Sequence, residues 1–236
     1  MTAKIFSLMV VLAFAWNISA KAQETDKRTL PPFTEISLRV SGDVHLMQGD
    51  NQSVEIKAKA STINKLITEV KDRKLVIRFS TTDSWFKSWN PGKIDIYITI
   101  PQIDALSVSG SGSILSDDEI TSRILDLAVS GSGDIKLTDL SAEKVSAAVS
   151  GSGDIYLEGS DTSDSFEAAI SGSGDIKASE LKAKNVDVKI SGSGDCDVYA
   201  VDQLKVRVIG SGTVRYDGNP QIDSNVSGSG GFKKGR

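Results

Sequence analysis

The residues best placed by type and spacing to do chemistry are four aspartates, Asp134, Asp154, Asp175 and Asp195, each closing a Ser-Gly-Ser-Gly-Asp segment. If those segments stack, the carboxylates form one outer column, and like charges ~4.8 Å apart repel by roughly 0.9 kcal/mol even at water's dielectric constant. Something must offset that repulsion. One offset is a row of calcium ions, because carboxylate and carbonyl oxygens are the ligands calcium prefers. The other is hydrogen bonding to turn amides with Lys136 and Lys177 as counter-charges two residues on. The nine-residue period of calcium-binding solenoids differs from the one here, and Ser113, Thr213 and Gly231 replace Asp in the outer copies, which favours the second account.

Other reactive side chains are few. His45 is the only histidine, so a cluster of several histidines around a metal is excluded, and a Ser-His-Asp triad would have one candidate base. Beside Asp43 on an alternating segment, His45 reads as a surface residue. Cys196 is the only cysteine, stands in a column otherwise held by isoleucine, and reads as a small buried apolar residue. No catalytic residue and no cofactor is assigned. Trp85, Phe86 and Trp89 lie in a polar stretch ending at Pro91-Gly92, where aromatics can stack on sugar rings, anchor a protein partner, or fold back over an apolar edge.

The element that must position these groups is the repeat. The first glycine of each copy falls at Gly110, Gly131, Gly151, Gly172, Gly192, Gly210 and Gly228, giving intervals of 21, 20, 21, 20, 18 and 18 residues. Such a period marks stacked supersecondary units. Aligned on that glycine, one apolar column runs Ile114, Ile135, Ile155, Ile176, Cys196 and Val214, and a second runs Val129, Val149, Ile170, Ile190, Val208 and Val226. A third runs Leu125, Val145, Phe166, Val186, Leu204 and Ile222. Alternation with period two carries these columns to one face, with both glycines at inward or corner positions and Ser150, Ser152, Asp154 and Tyr156 outward. Helix is excluded by that period, by β-branched crowding and by the paired glycines. The fold class is therefore all-β, a single-stranded parallel β-solenoid with about 18–21 residues per coil.

Residues 33–231 form the solenoid, with irregular coils over 33–108 and regular Ser-Gly-Ser-Gly-Asp coils over 109–231. In the irregular part, Ser41-Gly42-Asp43 is a shortened mark, and the 68 residues from Gly42 to Gly110 leave room for about three coils with excursions. Strands are expected at 54–58, 75–79 and 94–100, and a short helix capped by Ser61 or Thr62 over Ile63 to Leu66. Residues 1–22 read as a signal peptide: Lys4, an apolar run from Ile5 to Trp16, and Ala20-Lys21-Ala22 before the cut. Residues 23–32 read as a flexible linker and 232–236 as a basic tail that guards the last coil from pairing. No integral membrane segment is expected once the signal is removed, so the protein is read as exported, periplasmic or extracellular. Loss of Lys4 and Lys21 moves the formal charge from −4 to −6, which argues against nucleic acid as a partner.

Val44-His45-Leu46-Met47-Gln48-Gly49, the strand end Ile98-Thr99-Ile100-Pro101, Leu106-Ser107-Val108-Ser109-Gly110-Ser111-Gly112 and the later Ser-Gly-Ser-Gly-Asp coils occur in an order that resembles the bacterial head GIN domain family. That family is described as auto-transporter adhesins and is frequent in Bacteroidota. The similarity runs from about Phe33 to Gly231. It implies a β-solenoid and an adhesin-like, non-enzymatic role with a glycan or envelope protein as partner, and it supplies no catalytic residues. The amphipathic strands that a C-terminal membrane barrel would need do not follow Gly231, so self-export is not expected. A scaffold without a dedicated ligand and a polysaccharide-active β-helix enzyme are the alternatives; coils of this length leave little chain for the groove such an enzyme builds.

Overall fold

The computed structural model describes residues 23–80 and 90–235. The elements are β1 (Glu24–Lys27), β2 (Glu35–Leu38), β3 (Asp43–Gln48), β4 (Ser53–Ala58), one helical turn α1 (Ala60–Ile63), β5 (Leu66–Lys71), β6 (Lys74–Phe79), β7 (Asp95–Ile100), β8 (Ala105–Gly110) and β9 (Ser113–Ser116). They continue with β10 (Ile120–Gly131), β11 (Asp134–Leu137), β12 (Leu140–Gly151), β13 (Ile155–Glu158), β14 (Ser163–Gly172), β15 (Ile176–Gly192), β16 (Cys196–Gly210), β17 (Thr213–Gly218), β18 (Gln221–Gly228) and β19 (Gly231–Lys234). The strands join into one continuous sheet wound on itself.

From β8 onward the chain winds as a parallel β-solenoid, with residues about twenty apart as vertical neighbours. Gly110, Gly131, Gly151, Gly172, Gly192, Gly210 and Gly228 are successive partners. Below the corner, Ile114, Ile135, Ile155, Ile176, Cys196, Val214 and Phe232 pair in turn. The first six of these side chains are fully buried. Each rank thus has a long limb before the glycine corner and a short limb after it, and no rank buries its apolar face without its neighbours.

The N-terminal ranks depart from simple winding. β2 pairs in parallel with both β6 and β8, and β3 with both β7 and β9, so the rank that comes first in sequence lies second in space. The strands expected at 54–58, 75–79 and 94–100 all form, but the first is not a solenoid limb. β4 runs antiparallel along β7, β1 antiparallel along β4, and β5 antiparallel along β6. These strands cover an edge that would otherwise present unpaired amides and carbonyls. Residues 23–32, expected to be a linker, therefore hold the outermost covering strand. The helical turn also starts earlier than expected, at Ala60 with Lys59 before it and no side-chain cap. Thr62 is buried and spends its hydroxyl on the Pro91 carbonyl at 2.7 Å, while Leu66 is already in a strand.

The opposite end is uncovered. Ile222 and Val226 continue their columns in register but are 43% and 39% exposed, because no further rank among the described residues lies over β18. The residues expected as a basic tail include the last strand: Phe232 pairs with Val214 and stacks on Tyr216 at 4.9 Å.

Candidate functional site

The glycine corner is a stack of backbone on backbone. The Gly131 carbonyl accepts from the Ser152 and Gly153 amides at 2.8 and 3.1 Å, and the same pattern recurs one rank on at Gly151 with Ser173 and Gly174. Just past the corner, each aspartate reaches the next rank. Asp134 Oδ1 accepts from the Asp154 amide at 3.0 Å, and Asp154, Asp175 and Asp195 accept from the amides of Asp175, Asp195 and Thr213, each at 2.8 Å.

The second oxygens of Asp154, Asp175 and Asp195 meet cations. Lys177 Nζ lies 3.8 Å from Oδ2 of both Asp154 and Asp175, and Arg215 bonds Asp195 at 2.9 Å and Asp197 at 3.0 Å. The Tyr156 hydroxyl donates to Asp154 and accepts from Lys177. That bond, with the nearby carboxylates and against burial, raises the Lys177 pKa above its ordinary value. Arg215 is a counter-charge that column reading missed, although it stands two residues past Thr213 on the outward parity. Lys136, expected to neutralise the column, makes no ion pair among the described residues.

The carboxylates of the column thus serve as acceptors for amides of the next rank. Each carboxylate turns one oxygen along the rod, and no three acidic, histidine or cysteine side chains converge among the described residues. Charged acceptors on amides contribute more than neutral ones. Asp175→Ala strips the Asp195 amide of its acceptor and is expected to cost about 1–3 kcal/mol in urea denaturation. Asp175→Asn keeps the acceptor and should lose less than half as much.

A second cluster sits on the N-terminal ranks, where the outer column continues through Asp43 and Asp95. Asp95 is nearly buried and bonds Lys93 at 2.8 Å, Gln23 at 3.3 Å and His45 Nε2 at 3.5 Å. Burial pushes the Asp95 carboxyl upward, but the hydrogen bonds from Lys93, Gln23 and His45 outweigh it and leave its pKa lowered. The partner of His45 is therefore Asp95, from the neighbouring rank, rather than Asp43. Its ring stacks on Tyr97 at 4.8 Å, and Lys57 Nζ stands 4.3 Å from the Tyr97 centroid. No serine hydroxyl among the described residues bonds to His45. The cluster ties Gln23, just before β1, to β3 and β7.

Cys196 is fully buried, and burial pushes its thiol well above the ordinary range. A thiol reagent such as dithionitrobenzoate should leave native protein unlabelled and modify one thiol per chain in denaturant. Appreciable labelling under native conditions would contradict the packing of that column. Trp85, Phe86 and Trp89 lie outside the described residues, in the segment joining β6 to β7.

A regular surface is the outer face of the long limbs. Ser130, Ser150, Ser171 and Ser191 form one outward row, and Ala128, Ala148 and Ala169 form the row beside it. These rows present small side chains at the strand spacing of ~4.8 Å.

The sequence matches, over residues 32–220, the family model described as "Putative auto-transporter adhesin, head GIN domain". No curated protein matches it. Among solved structures, one from Bacteroides fragilis NCTC 9343 described as a "putative adhesin" is 24% identical with a TM-score of 0.83, covering 91% of this chain and 98% of that one. A "putative lipid binding protein" from Parabacteroides distasonis ATCC 8503 is 24% identical with a TM-score of 0.75, covering 92% and 98%. A "putative adhesin" from Parabacteroides merdae ATCC 43184 is 21% identical with a TM-score of 0.74 over the same shares. At these identities the likeness is one of fold. The family match takes in the N-terminal ranks and all but the last of the regular ones, and on that match the chain belongs to the head GIN domain family.

Proposed function

We propose that the protein is an exported, non-enzymatic binding module of the cell envelope, adhesin-like in that it holds a surface polymer, glycan or protein, along a rigid rod. The observation that carries this reading is the set of outward rows in register: one wound chain repeats the same side-chain type from rank to rank and so offers an extended ligand equivalent contacts. Many weak equivalent contacts add up through effective concentration. The family match and the adhesin descriptions of the similar structures point the same way. The acidic balance of the chain disfavours nucleic acid.

Labelled purified protein is expected to bind saturably to at least one class of surface polymer on an array of glycans, matrix proteins and isolated envelope components. Residues 1–22 fused to a reporter are expected to carry it out of the cytoplasm. Absence of saturable binding on every polymer would remove the reading. A structural envelope component is the second reading, favoured by the uncovered last rank with Ile222 and Val226 exposed. Concentration-dependent rods in sedimentation, without polymer binding, would establish it instead.

A further inference from the structure

The same outer face deepens into a groove toward the C-terminal end, and its lining differs from the small-residue rows beside it. A shallow cleft of ≈ 460 Å³ runs across β14, β15, β16 and β18, parallel to the rod. One wall is a row of amides: Asn185, Gln203 and Gln221 are successive partners in the ladder. The other is a row of charges, Glu167, Asp187, Lys205 and Asp223, again in register. Both rows face outward, because the alternating positions between them, Phe166, Val186 and Leu204, are buried.

We propose that this groove binds a linear, uncharged polysaccharide laid along the rod axis; the proposal rests on the binding-module reading above. The chemistry of the walls points to hydroxyl groups. Side-chain amides offer both donors and acceptors, and carboxylates accept from hydroxyls. No other described group bonds the side chains of Gln203 and Gln221. Asp187 lines the groove, and its Oδ1 is buried without a donor, while its other oxygen lies 3.4 Å from Lys189. The Asp187 side chain is 30% exposed, so its carboxylate stands where a ligand hydroxyl can donate to it.

Charge narrows the class further. Three acids stand against one lysine in the lining, so uronate, sulfate or phosphate polymers meet repulsion. A peptide ligand would need side-chain pockets, whereas the only exposed apolar side chain in the groove is Ile222, at the rod end. The repeat also fits. An extended, equatorially linked glycan advances per ring by roughly the ~4.8 Å between strands, so each ring would meet one charged group of a single rank and, on β15, β16 and β18, one amide, with Ser165 in that row on β14. Four ranks then hold about four rings.

The test is calorimetric titration of purified protein with cello-, xylo- and manno-oligosaccharides of two to six rings, with oligogalacturonate as the acidic control. At least one neutral series is expected to bind, with affinity rising with length and levelling at about four rings. Gln203→Ala combined with Gln221→Ala, and separately Asp187→Ala, should each weaken that binding at least tenfold with an unchanged melting temperature. Neutral-glycan binding that these variants leave intact would overturn the groove while sparing the binding-module reading. So would preference for oligogalacturonate, or binding only to a protein on the broader array. No binding to any polymer would remove both.

Discussion

Gly153→Ala is expected to destabilise the protein by about 4 kcal/mol or more, an exceptional cost for adding one methyl group. A Cβ built at Gly153 lies far inside van der Waals contact with the Gly133 carbonyl oxygen of the rank below and 2.8 Å from Val129 Cγ1. Neither neighbour can yield cheaply. The oxygen belongs to a corner whose backbone is fixed by the Gly131 carbonyl and its two amide partners, and Val129 is held in a buried column. The companion glycine of each corner carries an additional constraint: Gly172 sits at φ +129°, a conformation that residues with a Cβ essentially do not adopt. Ser152, between two glycines of the same corner, points outward, and Ser152→Ala should stay within about 0.5 kcal/mol.

The effect of Gly153→Ala should also depend on position along the rod. In a one-dimensional stack, a broken interface in the middle uncouples the ranks on either side. Guanidinium unfolding of Gly153→Ala is expected to lose its single transition, or to show a lowered m-value, as the two halves melt separately. Gly230→Ala, whose Cβ would clash less closely with the Gly212 carbonyl, at 2.5 Å, acts on the last rank of the described residues and should release only β18 and β19. Equal, two-state losses for both variants would contradict the stack as the unit of stability.

The regular ranks were legible because one backbone position recurs with each turn. When Ile135, Ile155 and Ile176 stand at the same distance from a glycine that must bend the chain, period alone places them over one another. The N-terminal ranks lack that information. Alternation in Ile36, Leu38, Val44 and Leu46 says which face is inward, but nothing in it says that β6 and β7 lie on the far side of β2 and β3. The antiparallel direction of β1, β4 and β5 is likewise set by which edge needs covering, a property of the assembled stack. The bonds of the aspartate column to turn amides follow from the residue type and its place after the corner, whereas Lys136, expected as a counter-charge, makes no ion pair among the described residues. Arg215 and the Asp95 cluster were missed because their partners come from other ranks, and the groove because its rows mix amides, acids and a lysine instead of repeating one residue.

Phe166→Ala is expected to cost about 3–5 kcal/mol, the second large effect, and it tests the register from the side chains rather than from the backbone. Phe166 is 1% exposed, lies between Val145 and Val186 in the ladder, and is the only aromatic in its column. The neighbouring ranks leave room for a ring only because Ala147 and Ala168 hold the next inward positions on β12 and β14, small where their counterparts Leu127 and Val188 are larger. Truncating the ring therefore opens a cavity flanked by small residues whose backbone is pinned by the ladder on both sides, a setting that relaxes little. Phe166→Leu should lose far less, about 1.5 kcal/mol or under, since most of the volume is kept. Ala168→Leu added to Phe166→Ala is the sharper probe: if the two positions share one void, the pair should recover part of the loss, whereas independent sites would add their costs. Ile222→Ala in the same column, 43% exposed on the uncovered rank, should cost no more than about 1 kcal/mol by the same denaturation measurement. A cost at Ile222 equal to that at Phe166 would mean that in solution the last rank is covered, and that the stack does not end at β18.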